Sequence, residues 1–283
     1  MARVVVVGSA NVDLVWNGPR LPRPGETVTD GTLTQALGGK GANQAAAAAA
    51  LGANVVFIGC VGDDEQGRSC RADLEGRGID CTHLDVVALA TGVALITVDS
   101  SGENAIAVAP GANRALRPDA TAGLIRHDDV VLCSCEVPLE TVAAAVDAAI
   151  GAGARVIVNP APARAIFPGA IHTPNRVECD ELGGIDALVA AAPAVILTLG
   201  RDGIEIHRAG APAVRRPAFS VNAVDSTGAG DAFNGALAWA LAAGYDLDEA
   251  ARLAGAAGAL ATRAVGARAA LPTTDELYAL ARS

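Results

Sequence analysis

The stretch Val224-Asp225-Ser226-Thr227-Gly228-Ala229-Gly230-Asp231-Ala232-Phe233-Asn234-Gly235-Ala236-Leu237 places one carboxylate where a flexible turn meets a helix-forming run. Gly228 and Gly230 allow a tight turn, and the apolar, Ala-containing run after them predicts a helix whose first backbone N–H groups point outward. Such a terminus attracts anions. Asp231 falls at this positive end, where its charge is favoured and where it could take a proton from a substrate held beside it. The same residues also describe an Asp that merely caps a helix, so the chemistry depends on partners elsewhere in the chain.

A second glycine-bearing helix start lies in Gly38-Gly39-Lys40-Gly41-Ala42-Asn43-Gln44, which leads into the alanine-rich run 45–51 with Gly52 as its stop. Short polar groups also gather directly after the first apolar run, in Asn11-Val12-Asp13.

The elements that must carry these residues follow a βα rhythm. Arg3-Val4-Val5-Val6-Val7-Gly8 reads as a buried parallel strand, 55–59 as another, and 65–74 as a helix that ends before Gly76. The rhythm continues with strand 130–133, helix 139–150, strands 155–159 and 195–199, and a hairpin strand at 204–207. Helices at 247–262 and 273–282 close the chain. Two interruptions stand out. One is a Pro- and Gly-punctuated excursion over 11–36, with alternating residues such as Thr27-Val28-Thr29, and the other is a hairpin over 92–108. Strands inserted into a βα rhythm predict a lid. With no linker or internal repeat, 1–283 reads as one α/β domain plus that lid, and the recurring β-branched runs exclude an all-α fold.

Composition narrows the partners. The chain has 283 residues, 51% of them hydrophobic, so it can bury a sizeable core. A net charge of -10 and a pI near 4.8 argue against a nucleic-acid partner, and two Trp and two Tyr offer few stacking platforms. A polyanionic substrate therefore needs local positive potential. Six Cys at 60, 70, 81, 133, 135 and 179 lack zinc-site spacing, and no cleavable signal segment is evident, so they read as reduced cytoplasmic thiols. Apolar runs are too short to cross a bilayer, so no membrane is expected. No G-x-G-x-x-G follows the first strand, which argues against a dinucleotide enzyme.

The two glycine phrases, Gly38 to Gln44 and Asp225 to Asp231, resemble the paired motifs of the ribokinase-like (PfkB) sugar kinases. Within that family the chain is most similar to the ribose-phosphorylating members. The phrases that carry this are Ser9-Ala10-Asn11-Val12-Asp13, Pro24-Gly25-Glu26-Thr27, Thr91-Gly92-Val93-Ala94, Gly102-Glu103-Asn104, Asn159-Pro160-Ala161-Pro162-Ala163-Arg164 and Thr173-Pro174-Asn175. The similarity runs over about 4–272 and implies a three-layer α/β/α fold with a mostly parallel central sheet and a small β-sheet lid.

The resemblance also implies roles. A pentose would be held by Asn11, Asp13, Gly39, Lys40, Asn43 and Glu136, residue types that suit vicinal hydroxyls. Asp231 would be the general base, and the N–H groups of Gly228, Ala229, Gly230 and Asp231 an anion hole for the transferring phosphoryl group. ATP with a magnesium ion (Mg2+) would bind on the side of Asn175, Glu178, Thr198, Gly200 and Gly203. A potassium ion (K+) would lie by Asp225, with carbonyls of Thr227, Ala261, Ala264 and Gly266. In the family the lid pairs two subunits, which implies a homodimer.

Several positions depart from the pattern. The segment between Asn175 and Val195 is short, as though most of a helix were absent, and Arg176 replaces a customary acid. Gly255 stands where a side chain reaching the adenine is usual, and Ala270 where many relatives place a serine hydroxyl on the potassium ion. The alternatives are a kinase for deoxyribose, fructose or a nucleoside, and a sugar-binding regulator without catalysis. A nucleoside site would need an aromatic or apolar slot, for which 3% aromatic residues leave few candidates, Trp16 among them. An intact Asp231 beside an unbroken Gly228-Ala229-Gly230 turn argues against the regulator.

Overall fold

The computed structural model describes residues 2–282. Its strands are β1 (Arg3–Val7), β2 (Asn11–Asn17), β3 (Thr32–Gly38), β4 (Asn54–Gly62), β5 (Asp80–Val87), β6 (Gly92–Val98), β7 (Asn104–Ala109), β8 (Val130–Ser134), β9 (Arg155–Asn159), β10 (Ile171–His172), β11 (Val195–Thr198), β12 (Ile204–His207) and β13 (Val214–Arg216). The helices are α1 (Lys40–Ala50), α2 (Glu65–Gly76), α3 (Leu139–Ala152), α4 (Arg176–Glu181), α5 (Ile185–Ala191), α6 (Ala229–Ala242), α7 (Leu247–Ala261) and α8 (Thr274–Ala281).

A 9-stranded sheet runs in the order β13-β12-β11-β10-β9-β8-β1-β4-β5. Neighbours are parallel from β11 to β5, and β12 and β13 add an antiparallel hairpin at one edge. Period-two alternation divides β1 between two cores. Val4 and Val6 pack with Ala45 of α1, Leu237 of α6, Leu253 of α7 and Leu277 of α8. Val5 and Val7 pack on the other face with Val142 and Val146 of α3. The result is three layers, helix, sheet and helix, as the alternation of β-branched and alanine-rich runs predicts.

A separate 4-stranded sheet has the order β3-β2-β6-β7. β2 lies parallel to β6 and antiparallel to β3, with Asp13 facing Ala36 on one side and Ala94 on the other. The excursion is thus built from strands, but not from the alternating residues named for it. Residues 27–31 form no strand, and pairing begins at Thr32 and runs past position 36 to Gly38. Pro22, Pro24 and Gly25 punctuate the preceding stretch, and Pro offers no N–H to a ladder.

Other elements differ from the sequence reading. The helix at 65–74 runs on through Gly76, and α1 begins at Lys40, ahead of the alanine run. The segment 176–194, short as it is, folds into α4 and α5, with Leu188 and Cys179 buried against Val195. Three strands have no counterpart in the sequence reading: β5 at the sheet edge, β10 of two residues, and β13. β5 carries Asp80, His83 and Asp85, weak strand formers that are recruited by pairing with β4. All six cysteines are buried and unbridged. Among the described residues no helix is long and apolar enough to cross a membrane.

The contact between α1 and α6 positions the site. At Gly235 an added Cβ would lie 2.4 Å from the Gln44 carbonyl oxygen, so glycine lets the two helices touch backbone to backbone. That approach brings the first turn of α6 beside Asn43 and Gln44.

Candidate active site

Asp231 is the third residue of α6, after Gly228 as N-cap, and its side chain does not cap its own helix. Instead it turns inward and is 8% exposed. Asn43 Nδ2 donates to its Oδ2 at 2.9 Å and Gln44 Nε2 to its Oδ1 at 3.0 Å. A capping Asp would bond a neighbouring backbone N–H, so the merely structural account of this residue fails. Burial pushes the Asp231 carboxyl up, against the pull of the Lys40 charge and the two amides. A carboxylate with a raised proton affinity, held by neutral donors, is suited to accept a proton.

The turn before it is set by Gly228, whose φ of 77° is left-handed and where a Cβ would lie 2.6 Å from the Ala267 Cα. Of the four N–H groups expected to face an anion, that of Ala229 donates to the Ser226 carbonyl at 3.1 Å. Those of Gly228, Gly230 and Asp231 have no acceptor among the described residues. The available hole therefore has three free donors and one that is shared.

Charges gather beside Asp231, and two of them, the Asp13 carboxylate and the Lys40 ammonium, have no hydrogen-bonded or ion-paired partner among the described residues. Asp13 projects from β2 over the backbone of Gly38, where a Cβ would be 2.2 Å from its Oδ2. Neither of its oxygens is hydrogen-bonded among the described residues, and burial with the nearby Glu136 charge pushes it up to about 6. Glu136 precedes α3 but does not cap it. Its Oε2 accepts the Lys40 N–H at 3.0 Å and the Ser9 hydroxyl, so it caps the start of α1 from across the sheet. The Lys40 ammonium forms no ion pair among the described residues. Burial works to lower it, but the charges of Asp231, Glu136 and Glu178 outweigh burial and hold it raised. Gly39 is the N-cap of α1 with φ 86°. Asn11 is buried, and Asn113 Nδ2 donates to its Oδ1 at 2.7 Å, which leaves its own Nδ2 for a ligand. These six sequence-predicted residues converge at one end of the sheet, beside Asp231.

Asn175 and Glu178 form a reciprocal cap on α4. Asn175 Oδ1 accepts the Glu178 N–H at 2.9 Å, and Glu178 Oε2 accepts the Asn175 N–H at 2.9 Å. Burial raises Glu178, which also senses the Lys40 and Asp231 charges and so borders the same cleft. Thr198 ends β11, bonds the Pro174 carbonyl through its N–H at 2.9 Å, and bridges to Asn175. Gly200 and Gly203 bound the short turn that follows. At Gly255 a Cβ would meet only the Phe219 ring, at 3.9 Å, so that helix position leaves space.

Asp225 ties two loops. Its Oδ1 accepts the Thr227 N–H at 2.9 Å, and its Oδ2 accepts the Gly266 N–H at 2.9 Å. Burial works to raise it, but these donors hold it below the usual carboxylate range. The Val224 and Asp225 N–H groups both donate to the Thr262 carbonyl, which draws in the end of α7 at Ala261 and the loop of Ala264.

Two residues of this site stood outside the base and sugar set read from the sequence, Arg268 being considered there only as a stand-in for the potassium charge. Gln44 lies within the quoted motif, and an amide beside Asn43 at a helix start was the available signal. Arg268 had none: its partners Asn43, Asp73 and Gly38 are distant in the chain and meet it only in the fold.

A family model for the pfkB family carbohydrate kinases matches residues 1–274. The chain is 38% identical over 295 residues to the ribokinase of Haemophilus influenzae, covering 96% of each. Its fold is similar to that of the Thermotoga maritima ribokinase, with a TM-score of 0.87 and 32% identity over 100% of both chains. It is similar too to the Arabidopsis thaliana ribokinase complexed with ribose and ATP, with a TM-score of 0.88 and 28% identity over 100% of both chains.

Proposed function

The chain belongs to the pfkB family of carbohydrate kinases, and from that premise we propose that it transfers the γ-phosphoryl group of ATP to the 5-hydroxyl of D-ribose with Asp231 as general base. It is a phosphotransferase with an alcohol group as acceptor. The observation that carries the base assignment is the buried Asp231, held by Asn43 and Gln44 and spared from capping α6.

Asp13, the Glu136 Oε1 and the Asn11 amide supply acceptors and a donor for the ring hydroxyls, with Lys40 and the buried Asn43 beside Asp231. A sugar bound there sets its primary hydroxyl against Asp231, which takes the proton as the oxygen attacks phosphorus. The N–H groups of Gly228, Gly230 and Asp231 face the charge that spreads over the transferring group, and Lys40 adds a positive charge on the same side. ATP would lie toward Asn175, Glu178, Thr198, Gly200 and Gly203. The space at Gly255 makes selection of the base depend on shape and backbone.

The donor set fits two ions. Glu178, with one oxygen free and a neighbouring cleft, suits Mg2+, which when bound neutralises phosphate charge. Asp225, ionised and flanked by the loops of Thr227, Ala261, Ala264 and Gly266, suits K+ through hard oxygen ligands.

The small sheet of β2, β3, β6 and β7 would close over the sugar and exclude water, and its exposed Ile106 and Val108, on the same face as Asp13, would pair it with a second subunit. The six buried, unbridged thiols agree with a cytoplasmic enzyme. ADP release measured over ribose, deoxyribose, fructose and a nucleoside tests the substrate. Ribose should turn over with the highest kcat/KM. No ribose turnover with strong turnover of another acceptor would replace it by that acceptor.

A further inference from the structure

Arg268 lies in the loop after α7, and its side chain is 8% exposed. Its guanidinium makes bonds in three directions. Nε donates to Asn43 Oδ1 at 2.7 Å, Nη2 to the Gly38 carbonyl at 3.0 Å, and Nη1 to Asp73 Oδ2 at 2.5 Å. Two of these three acceptors belong to the sugar cleft.

The bond to Asn43 fixes which way that amide faces. With its oxygen occupied by Arg268, its Nδ2 is directed at Asp231 Oδ2, 2.9 Å away. Without the guanidinium, Asn43 Oδ1 loses its donor and nothing on that side opposes rotation of the amide. The bond to Gly38 fixes the backbone over which the Asp13 carboxylate sits. The guanidinium also acts on Asp13: burial, Glu136 and Asp231 favour its neutral form, and the Arg268 charge opposes them. Asp73, which also pairs with Arg77 at 3.1 Å, satisfies the remaining arm on the side away from the cleft.

We propose that Arg268 is a positioning residue for the sugar cleft, acting through Asn43 on the base and through Gly38 on the Asp13 carboxylate. It touches no substrate. The planar fork matters as much as the charge, because a lysine ammonium on a flexible stem cannot hold three acceptors at fixed angles. This role deepens the sugar-kinase reading and rests on it.

The test compares Arg268→Gln, Arg268→Lys and Asp73→Asn with the wild type, on whichever sugar the wild type turns over fastest. A wrong ribose assignment then shows in the wild type, and a wrong role for Arg268 only in the variants. Sugar binding is measured by calorimetry across pH, KM for ATP by steady-state kinetics, and folding by thermal unfolding. Arg268→Gln should weaken sugar binding roughly 10- to 100-fold and move its acid limb to higher pH, with KM for ATP within about twofold. Arg268→Lys should leave the acid limb in place, since the charge remains, yet lower kcat/KM for the sugar about tenfold. Asp73→Asn, which keeps the guanidinium and both cleft bonds, should bind the sugar within about twofold of wild type. The role is overturned if Arg268→Gln binds sugar as the wild type does, or if Asp73→Asn, while folded, reproduces the loss. Should Arg268→Gln fail to fold, Arg268→Lys decides alone: unchanged kcat/KM for the sugar overturns the proposal.

Discussion

Asn43 donates its side-chain amide to Asp231 Oδ2 across 2.9 Å, although the two residues are 188 apart in the chain. Gln44 does the same to Oδ1 at 3.0 Å, and spans onward to Asn159 Oδ1 at 3.1 Å. Both oxygens of the base are therefore oriented by neutral donors from the first turn of α1. The Gln44 side chain bonds Asp231 and Asn159 and none of Asn11, Asp13, Lys40, Asn43 or Glu136, so Gln44→Leu should act mainly on the base. Loss of one bond to a charged group predicts a fall in kcat of about tenfold with a smaller change in ribose affinity. Steady-state kinetics with ribose dissociation measured by calorimetry separate the two; a variant that loses affinity and keeps kcat would remove Gln44 from that role.

Asp13 gives the cleft a pH dependence. Its carboxyl is pushed up to about 6 by burial and by Glu136, with Asp231 adding and Arg268 opposing. Ribose hydroxyls need the ionised form as acceptor, so kcat/KM for ribose should fall about tenfold per pH unit below about 6. Asp13→Asn should lower kcat/KM and remove the Asp13 contribution to that limb, leaving the one that the Asp231 base gives. Stability runs the other way. The folded chain binds this proton more tightly than the unfolded chain, so Asp13 favours the fold at low pH. That contribution is lost as pH rises from the ordinary carboxylate range through about 6. Thermal unfolding of the wild type and Asp13→Asn across this window checks the sign.

Much of the site was legible because its residues sit in two short glycine motifs, and each motif starts a helix for a local reason. Gly228 and Gly39 take positive φ, and apolar runs rich in alanine follow. The central strands β1, β4, β8 and β9 were legible as β-branched runs. β5 and β13 were not, because their pairing with β4 and β12 supplies what their composition lacks. The cap that Glu136 places on α1, and the three arms of Arg268, depend on contacts between segments far apart in sequence and have no local pattern.

The loop pair joined by Asp225 and Gly266 bears on potassium. With Ala270 in place of a serine hydroxyl, the site keeps the Asp225 charge and the carbonyls but lacks one oxygen. Turnover should be activated by potassium, and Ala270→Ser should lower the concentration needed, by a factor of roughly 2 to 10, the scale of one polar contact. Turnover measured against potassium at constant ionic strength tests this. Indifference to potassium in both proteins would dismiss the site.

Leu33, Leu95, Ile106 and Val108 are each half or more exposed on the small sheet, at 67%, 52%, 58% and 50%. The register puts Leu33 and Leu95 on one face and Ile106 and Val108 on the other, with Asp13. The apolar patch on the Asp13 face predicts a homodimer, and Ile106→Lys with Val108→Asp on the edge strand should yield a monomer with weaker ribose binding. Light scattering at assay concentration reports the mass. A monomeric wild type would show that the sheet closes without a partner.

The proton transfer at Asp231 is the centre of the account, and single-turnover phosphoryl transfer from ATP to ribose in Asp231→Asn measures it most directly. The amide keeps the size of the carboxylate and cannot take the proton. The rate should drop on the order of 10²- to 10⁴-fold, with ribose binding still measurable by calorimetry and the residual product still phosphorylated at the 5-hydroxyl. A variant that transfers the phosphoryl group at a near-normal rate would contradict the assignment of Asp231 as the base.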